Sequence, residues 1–70
     1  MTDEELLKRW PVLPAMYPYP EGATVEDKIA LETAEIERLE TMDVTEAPEN
    51  VRIWWKTAIS DCYWRRRRLR

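Results

Sequence analysis

Seventy residues make one domain at most, and a chain of that size buries only roughly 60% of the surface its unfolded form exposes, so its own core is small. With no His, one Cys and one Gly, the sequence lacks the parts of a Ser–His or Cys–His nucleophile, a thiolate–imidazole metal site or a glycine-rich phosphate loop. The net charge of −3 hides a split: residues 1–50 hold 13 Asp or Glu against 4 Lys or Arg, while residues 51–70 hold 7 Lys or Arg against Asp61 alone.

Thr2-Asp3-Glu4-Glu5 has the spacing of a capping box and predicts a short helix over about 3–9. Pro11 ends it, because a proline brings no N–H and disfavours the helical region for Trp10 before it. The segment from Trp10 to Gly22 carries four prolines among aromatic and aliphatic side chains. It reads as an extended strap in polyproline-like conformation that turns at Gly22. Such a strap either packs on its own helices, against Trp54 or Trp64, or is offered to a partner through Trp10, Tyr17 and Tyr19.

A second capping signal at Thr24-Val25-Glu26-Asp27 opens the clearest helix, about 25–42. Val25, Ile29, Ile36 and Leu39 share one stripe, with Leu31 and Met42 on its shoulder. Glu32 falls inside that stripe. Its carboxylate is expected either to reach the solvent edge or to pair with Arg52 or Arg66 across the fold, whereas Asp27, Glu37 and Arg38 point away.

Pro48 suits the first turn of a third helix, about 48–68. Val51, Trp55, Ala58 and Cys62 form one face of it, edged by Trp54 and Ile59. Ile53, Thr57, Ser60 and Trp64 form another, nearly opposite, so this helix calls for cover on two sides. The chain is therefore expected to be all-α: a single domain built on an antiparallel hairpin of the second and third helices, with the strap and first helix over part of it.

Scattered carboxylates at helix caps and on solvated faces suit the helix dipole better than acid–base catalysis. No enzyme activity, cofactor or metal is expected. The chemistry that remains is recognition. Arg65, Arg66, Arg67, Arg68 and Arg70 read either as cationic completion of a helix C-terminus or as an anion-seeking tail for an acidic protein surface. Ile53 and Trp64, with the strap aromatics, supply an apolar surface for the same partner. In size and style the chain resembles the accessory proteins encoded by bacterial viruses, a likeness that assigns no residue a role.

Two functions are expected from these residues. The first is a small non-catalytic protein-binding module: a subunit, accessory or inhibitor protein of a larger assembly such as a virion, with self-association as one form of it. The second is a nucleic-acid-associated accessory protein using the arginine tail, disfavoured because phosphates repel a body carrying −9. No signal peptide and no run of about 18 apolar residues occurs, so the expected setting is the cytoplasm or a particle assembled inside the cell, away from membranes.

Overall fold

The computed structural model describes residues 2–13 and 18–70, and these form three α-helices: α1 (Asp3–Arg9), α2 (Val25–Glu40) and α3 (Glu49–Leu69). The fold is all-α, and α2 and α3 form the antiparallel hairpin. Both Thr residues cap their helices. The Thr2 hydroxyl accepts the Glu5 N–H. At α2 the box is complete, with Asp27 N donating to Thr24 Oγ1 and Thr24 N donating to the Asp27 carboxylate, each at 3.1 Å.

α2 stops two residues short of the expected Met42. The Thr41 hydroxyl turns back onto the Glu37 and Arg38 carbonyls, a local bond that competes with continuing the helix. Pro48 is the N-cap of α3 rather than its first residue. Gly22 has φ +81° and makes the turn that leads into α2, a conformation that suits glycine because it has no Cβ.

The core is one cluster drawn from every part of the chain: Leu6, Trp10 and Val12 ahead of the hairpin, Ile36 and Leu39 on α2, Ala47 in the connection, and Val51, Ala58 and Cys62 on α3. Trp54, Trp55 and Ile59 pack against its edge. The α2 stripe is thus confirmed at Ile36 and Leu39, with Ile29 half-buried. Val25, placed on the same stripe, is 53% exposed instead, because α2 begins there, beyond the level at which the core covers it.

The Trp55 indole N–H donates to the Leu39 carbonyl at 2.6 Å. That bond ties the second turn of α3 to the last turn of α2, at a carbonyl that also accepts the Met42 N–H.

The strap does not start as a straight polyproline segment. Val12 N donates to the Trp10 carbonyl at 2.8 Å, which closes a three-residue turn around Pro11 and swings Val12 fully into the core. Arg38 then holds the strap down: its Nη1 donates to the Pro11 carbonyl at 2.6 Å and its Nη2 to the Leu13 carbonyl, while Nε and Nη2 also meet the Glu35 carboxylate. Arg38 points away from the apolar stripe, as expected, and finds partners there. It sits on the flank where the strap crosses. Leu13 borders a small hollow with Trp54, Thr57, Ala58 and Asp61, so this part of the strap lies by Trp54 rather than Trp64.

The molecule is elongated, 39 × 20 × 16 Å. Its accessible surface of 5193 Å² is roughly a tenth more than the ~4600 Å² expected of a compact monomer of this mass. The excess follows from a long α3 covered on one side.

Candidate interaction face and the arginine end

The residues on the two sides of α3 differ in kind. Toward α2 lie Val51, Ala58 and Cys62, all buried. Small side chains let the helix axes approach, and the core closes over them. On the opposite side lie Ile53, Thr57, Ser60 and Trp64, and all four are exposed: Ile53 by 55% and Trp64 by 59%. Among the described residues nothing covers Ile53, Ser60 or Trp64, while Leu13 of the strap borders the hollow beside Thr57. The expected second layer does not extend over them among the described residues, because the strap crosses on the Trp54 flank.

Two hollows mark the outer side. Glu49, Arg52, Ile53 and Lys56 line one, of about 330 Å³, near the start of α3. Ser60, Tyr63, Trp64, Arg66, Arg67 and Arg70 line the other, of about 430 Å³, near its end. Arg67 lies over the Trp64 ring, its guanidinium carbon 5.9 Å from the centroid, and Arg66 over Tyr63 at 5.0 Å. These cation–π contacts hold the ring faces toward positive charge. Glu49, Lys56 and Tyr63 were not among the residues singled out from the sequence, and Arg52 only as a partner for Glu32. Their positions on the same turns as Ile53 and Trp64 were the signal available for finding them.

The arginine end is not one uniform tail. Arg65 turns inward and its Nε donates to Glu32 Oε2 at 2.7 Å, forming an ion pair with a carboxylate that is fully buried. Tyr19 donates its hydroxyl to the same oxygen at 3.2 Å, and among the described residues Glu32 Oε1 has no hydrogen-bond partner. Glu32 therefore neither reaches the edge nor pairs with Arg52 or Arg66, as the sequence had suggested. The turn that presents Arg65 faces the middle of α2, whereas Arg66 reaches Thr33 Oγ1 at 3.2 Å and the Arg52 Nε bonds the Ala47 carbonyl. Burial works against the Arg65 charge, but the Glu32 hydrogen bond and charge outweigh it and hold its pKa above the ordinary value.

Arg65 Nη2 also lies 3.3 Å from Cys62 Sγ. Burial nevertheless raises the Cys62 thiol, with Glu32 and Glu35 adding to the rise against the pull of Arg65, so the sulfur stays protonated near neutrality.

The residues expected to meet a partner thus separate. Ile53, Trp64, Arg67, Arg68 and Arg70 are exposed together along and beyond the outer side of α3. Arg66 is half-buried and shared with Thr33 and Tyr63. Trp10 is 9% exposed and belongs to the core, with Arg9 stacked on it at 4.7 Å. Tyr19 is half-buried, bonded to Glu32 with Lys28 over its ring at 5.4 Å. Tyr17 lies outside the described residues.

Among the described residues, no group of three or more His, Cys, Asp or Glu is placed to hold a metal ion, and no helix is long and apolar enough to cross a membrane. Compared with protein-family models, curated proteins and solved structures, the chain matches none.

Proposed function

We propose that the chain is a small, non-catalytic protein-binding module that docks through the outer side of α3, as a subunit or accessory protein of a larger protein assembly such as a virion. The observation that carries this reading is the pair of large apolar side chains, Ile53 and Trp64, left open on one face of an otherwise packed hairpin. At 59% exposure, Trp64 keeps roughly 90–150 Å² of surface in water, which burial would convert to about 2–4 kcal/mol. A Trp with cations around its rim is a common centre of binding energy at protein interfaces.

Attachment to nucleic acid through the arginine end is less well supported. Arg65 is committed to Glu32 and Arg66 to Thr33 and Tyr63, which leaves Arg67, Arg68 and Arg70 for phosphates. Contacts so few give a shallow salt slope and weak binding.

The test is affinity capture from the cell of origin with the tagged chain and with an Ile53→Ser/Trp64→Ser variant, washed at low and at high salt. Proteins retained by the parent at high salt should be absent from the variant, whose helical circular dichroism should be unchanged. Identical capture by both would overturn the reading. If changing Arg67, Arg68 and Arg70 to Ser alone abolishes capture even at low salt, the electrostatic alternative takes its place.

A further inference from the structure

The outer side of α3 is complementary to itself when reversed, and we infer that it pairs two copies of this chain as an antiparallel, two-fold dimer. The inference rests on the docking surface proposed above and names its occupant.

The argument starts from spacing. Place Ile53 of one α3 opposite Trp64 of a second, antiparallel α3. The same register sets Thr57 opposite Ser60, both small enough for the helices to approach at the centre. Trp64 then enters the 330 Å³ hollow that Glu49, Arg52, Ile53 and Lys56 line in the other copy, while Ile53 meets the hollow beside Tyr63 and Trp64. Each copy supplies a knob at one end and a receiving hollow at the other.

Charge fits the same register. Glu49 and Arg67 are 18 residues apart, five full turns of an α-helix, so they lie on one flank of α3. In an antiparallel pair related by a two-fold axis, like flanks meet. Glu49 of one copy therefore faces Arg67 of the other, within about one residue's rise of level, and the pair occurs twice. A parallel two-fold pair would instead bring unlike flanks together, so Glu49 and Arg67 would not meet. Lys56 meets its own copy close to the axis, a like-charge contact that its long stem relieves by lifting the ammonium into water.

Size fixes the strength. From Glu49 to Arg67 the strip is about 27 Å long and one helix wide, well short of the ~800 Å² per partner of a standard stable interface. The dimer is accordingly weak, with a dissociation constant on the order of 100 μM, and exchanges readily.

The test is analytical ultracentrifugation of the full chain between about 10 μM and about 1 mM, concentrations that bracket the expected constant. The parent should pass from monomer to dimer. Trp64→Ser, Glu49→Arg and Arg67→Glu, each with parental circular dichroism, should remain monomeric throughout. Mixing Glu49→Arg with Arg67→Glu in equal amounts should restore association at least tenfold, because every cross-copy pair is then of opposite sign.

A parent that stays monomeric at ~1 mM overturns the inference. So does a dimer indifferent to Trp64→Ser, or single variants that fail to rescue each other. A monomeric parent that still captures other proteins through Ile53 and Trp64 removes the self-pairing and leaves the protein-binding reading standing. A dimer that forms as described but captures nothing else supports the self-pairing and overturns the larger assembly.

Discussion

The two sides of α3 put their apolar residues to different uses. The side turned to α2 carries Val51, Ala58 and Cys62, with Trp55 at its edge bonded across to Leu39, while the side turned to water carries Ile53 and Trp64. Fold stability alone would place the largest apolar groups inward, where each contributes about 1.5–3 kcal/mol on burial. The inner side instead uses small residues for close approach and leaves an ion pair, Glu32 with Arg65, at the far end of the hairpin. The difference teaches that the inner side specifies how the hairpin closes, whereas the outer side holds its apolar surface in reserve.

The inner side breaks most severely at that ion pair. Arg65→Ala leaves the fully buried Glu32 with Tyr19 as its remaining hydrogen-bond donor among the described contacts, and losing one partner of a buried pair costs about 3–5 kcal/mol. A 70-residue domain has only roughly 3.5–10 kcal/mol of total stability, so urea unfolding followed by circular dichroism should show a variant partly unfolded before denaturant is added. Replacing both members, Glu32→Met with Arg65→Leu, should restore or exceed the parental midpoint, as apolar replacements of buried pairs often do. A stable single variant would mean that Glu32 does not depend on the pair.

A milder pair of substitutions compares the two sides directly on neighbouring residues. Ala58→Leu forces extra methylenes between α2 and α3 and should cost about 1–3 kcal/mol. Thr57→Leu, one position away on the exposed side, should stay within about 0.5 kcal/mol of the parent. Thermal midpoints separate the outcomes, since 1 kcal/mol moves a domain of this size by about 4–8 °C. Equal losses would mean that the outer side is covered in solution by the chain itself.

The smallest effect lies at the border between the sides, where the Tyr63 hydroxyl donates to Glu40 Oε1 at 2.7 Å. That hydrogen bond, to a group that is itself negative, raises the Tyr63 phenol above its ordinary value. The folded state keeps the proton longer than the unfolded one. Its contribution is therefore complete below about pH 10, the unfolded value, and is lost as pH climbs through the higher folded value. Tyr63→Phe should flatten that alkaline decline in stability and change nothing at neutral pH beyond a shallow loss. An unaltered alkaline limb would place the titrating group elsewhere.

Much of the fold was legible because its signals are local. Thr2 and Thr24 mark their helices by capping chemistry, Pro11 and Gly22 mark the breaks, and the spacing of Ile36, Leu39, Val51, Ala58 and Cys62 marks the sides that meet. What sequence could not supply was the pairing between elements. The charge split along the chain suggested a free arginine tail, yet the antiparallel return of α3 carries Arg65 to Glu32 and Arg66 to Thr33. Linear distance from the acidic half hid that proximity.

Which of the two readings of the strap applied to Trp10 was hidden for a related reason. Periodicity describes a helix face, but no period describes the turn at Pro11 that folds Trp10 and Val12 inward. The outer face of α3 was legible as a stripe through Ile53, Thr57, Ser60 and Trp64. Its charged neighbours Glu49 and Lys56 share its turns, but position alone did not set them apart from other surface charges.

Arg38 governs how the segment ahead of α2 comes loose. Prolines have no N–H to donate, so the backbone around Pro11 is attached to the hairpin through its carbonyls, and one guanidinium serves both the Pro11 and the Leu13 oxygens. Behind those two carbonyls sit Trp10 and Val12, both buried. Release of that one side chain frees both anchor points at once and wets both apolar groups together. Opening here is therefore all-or-none rather than a gradual fraying, and the amides of Trp10 and Val12 should exchange with solvent deuterium as one cooperative unit, separate from those at the centre of α3.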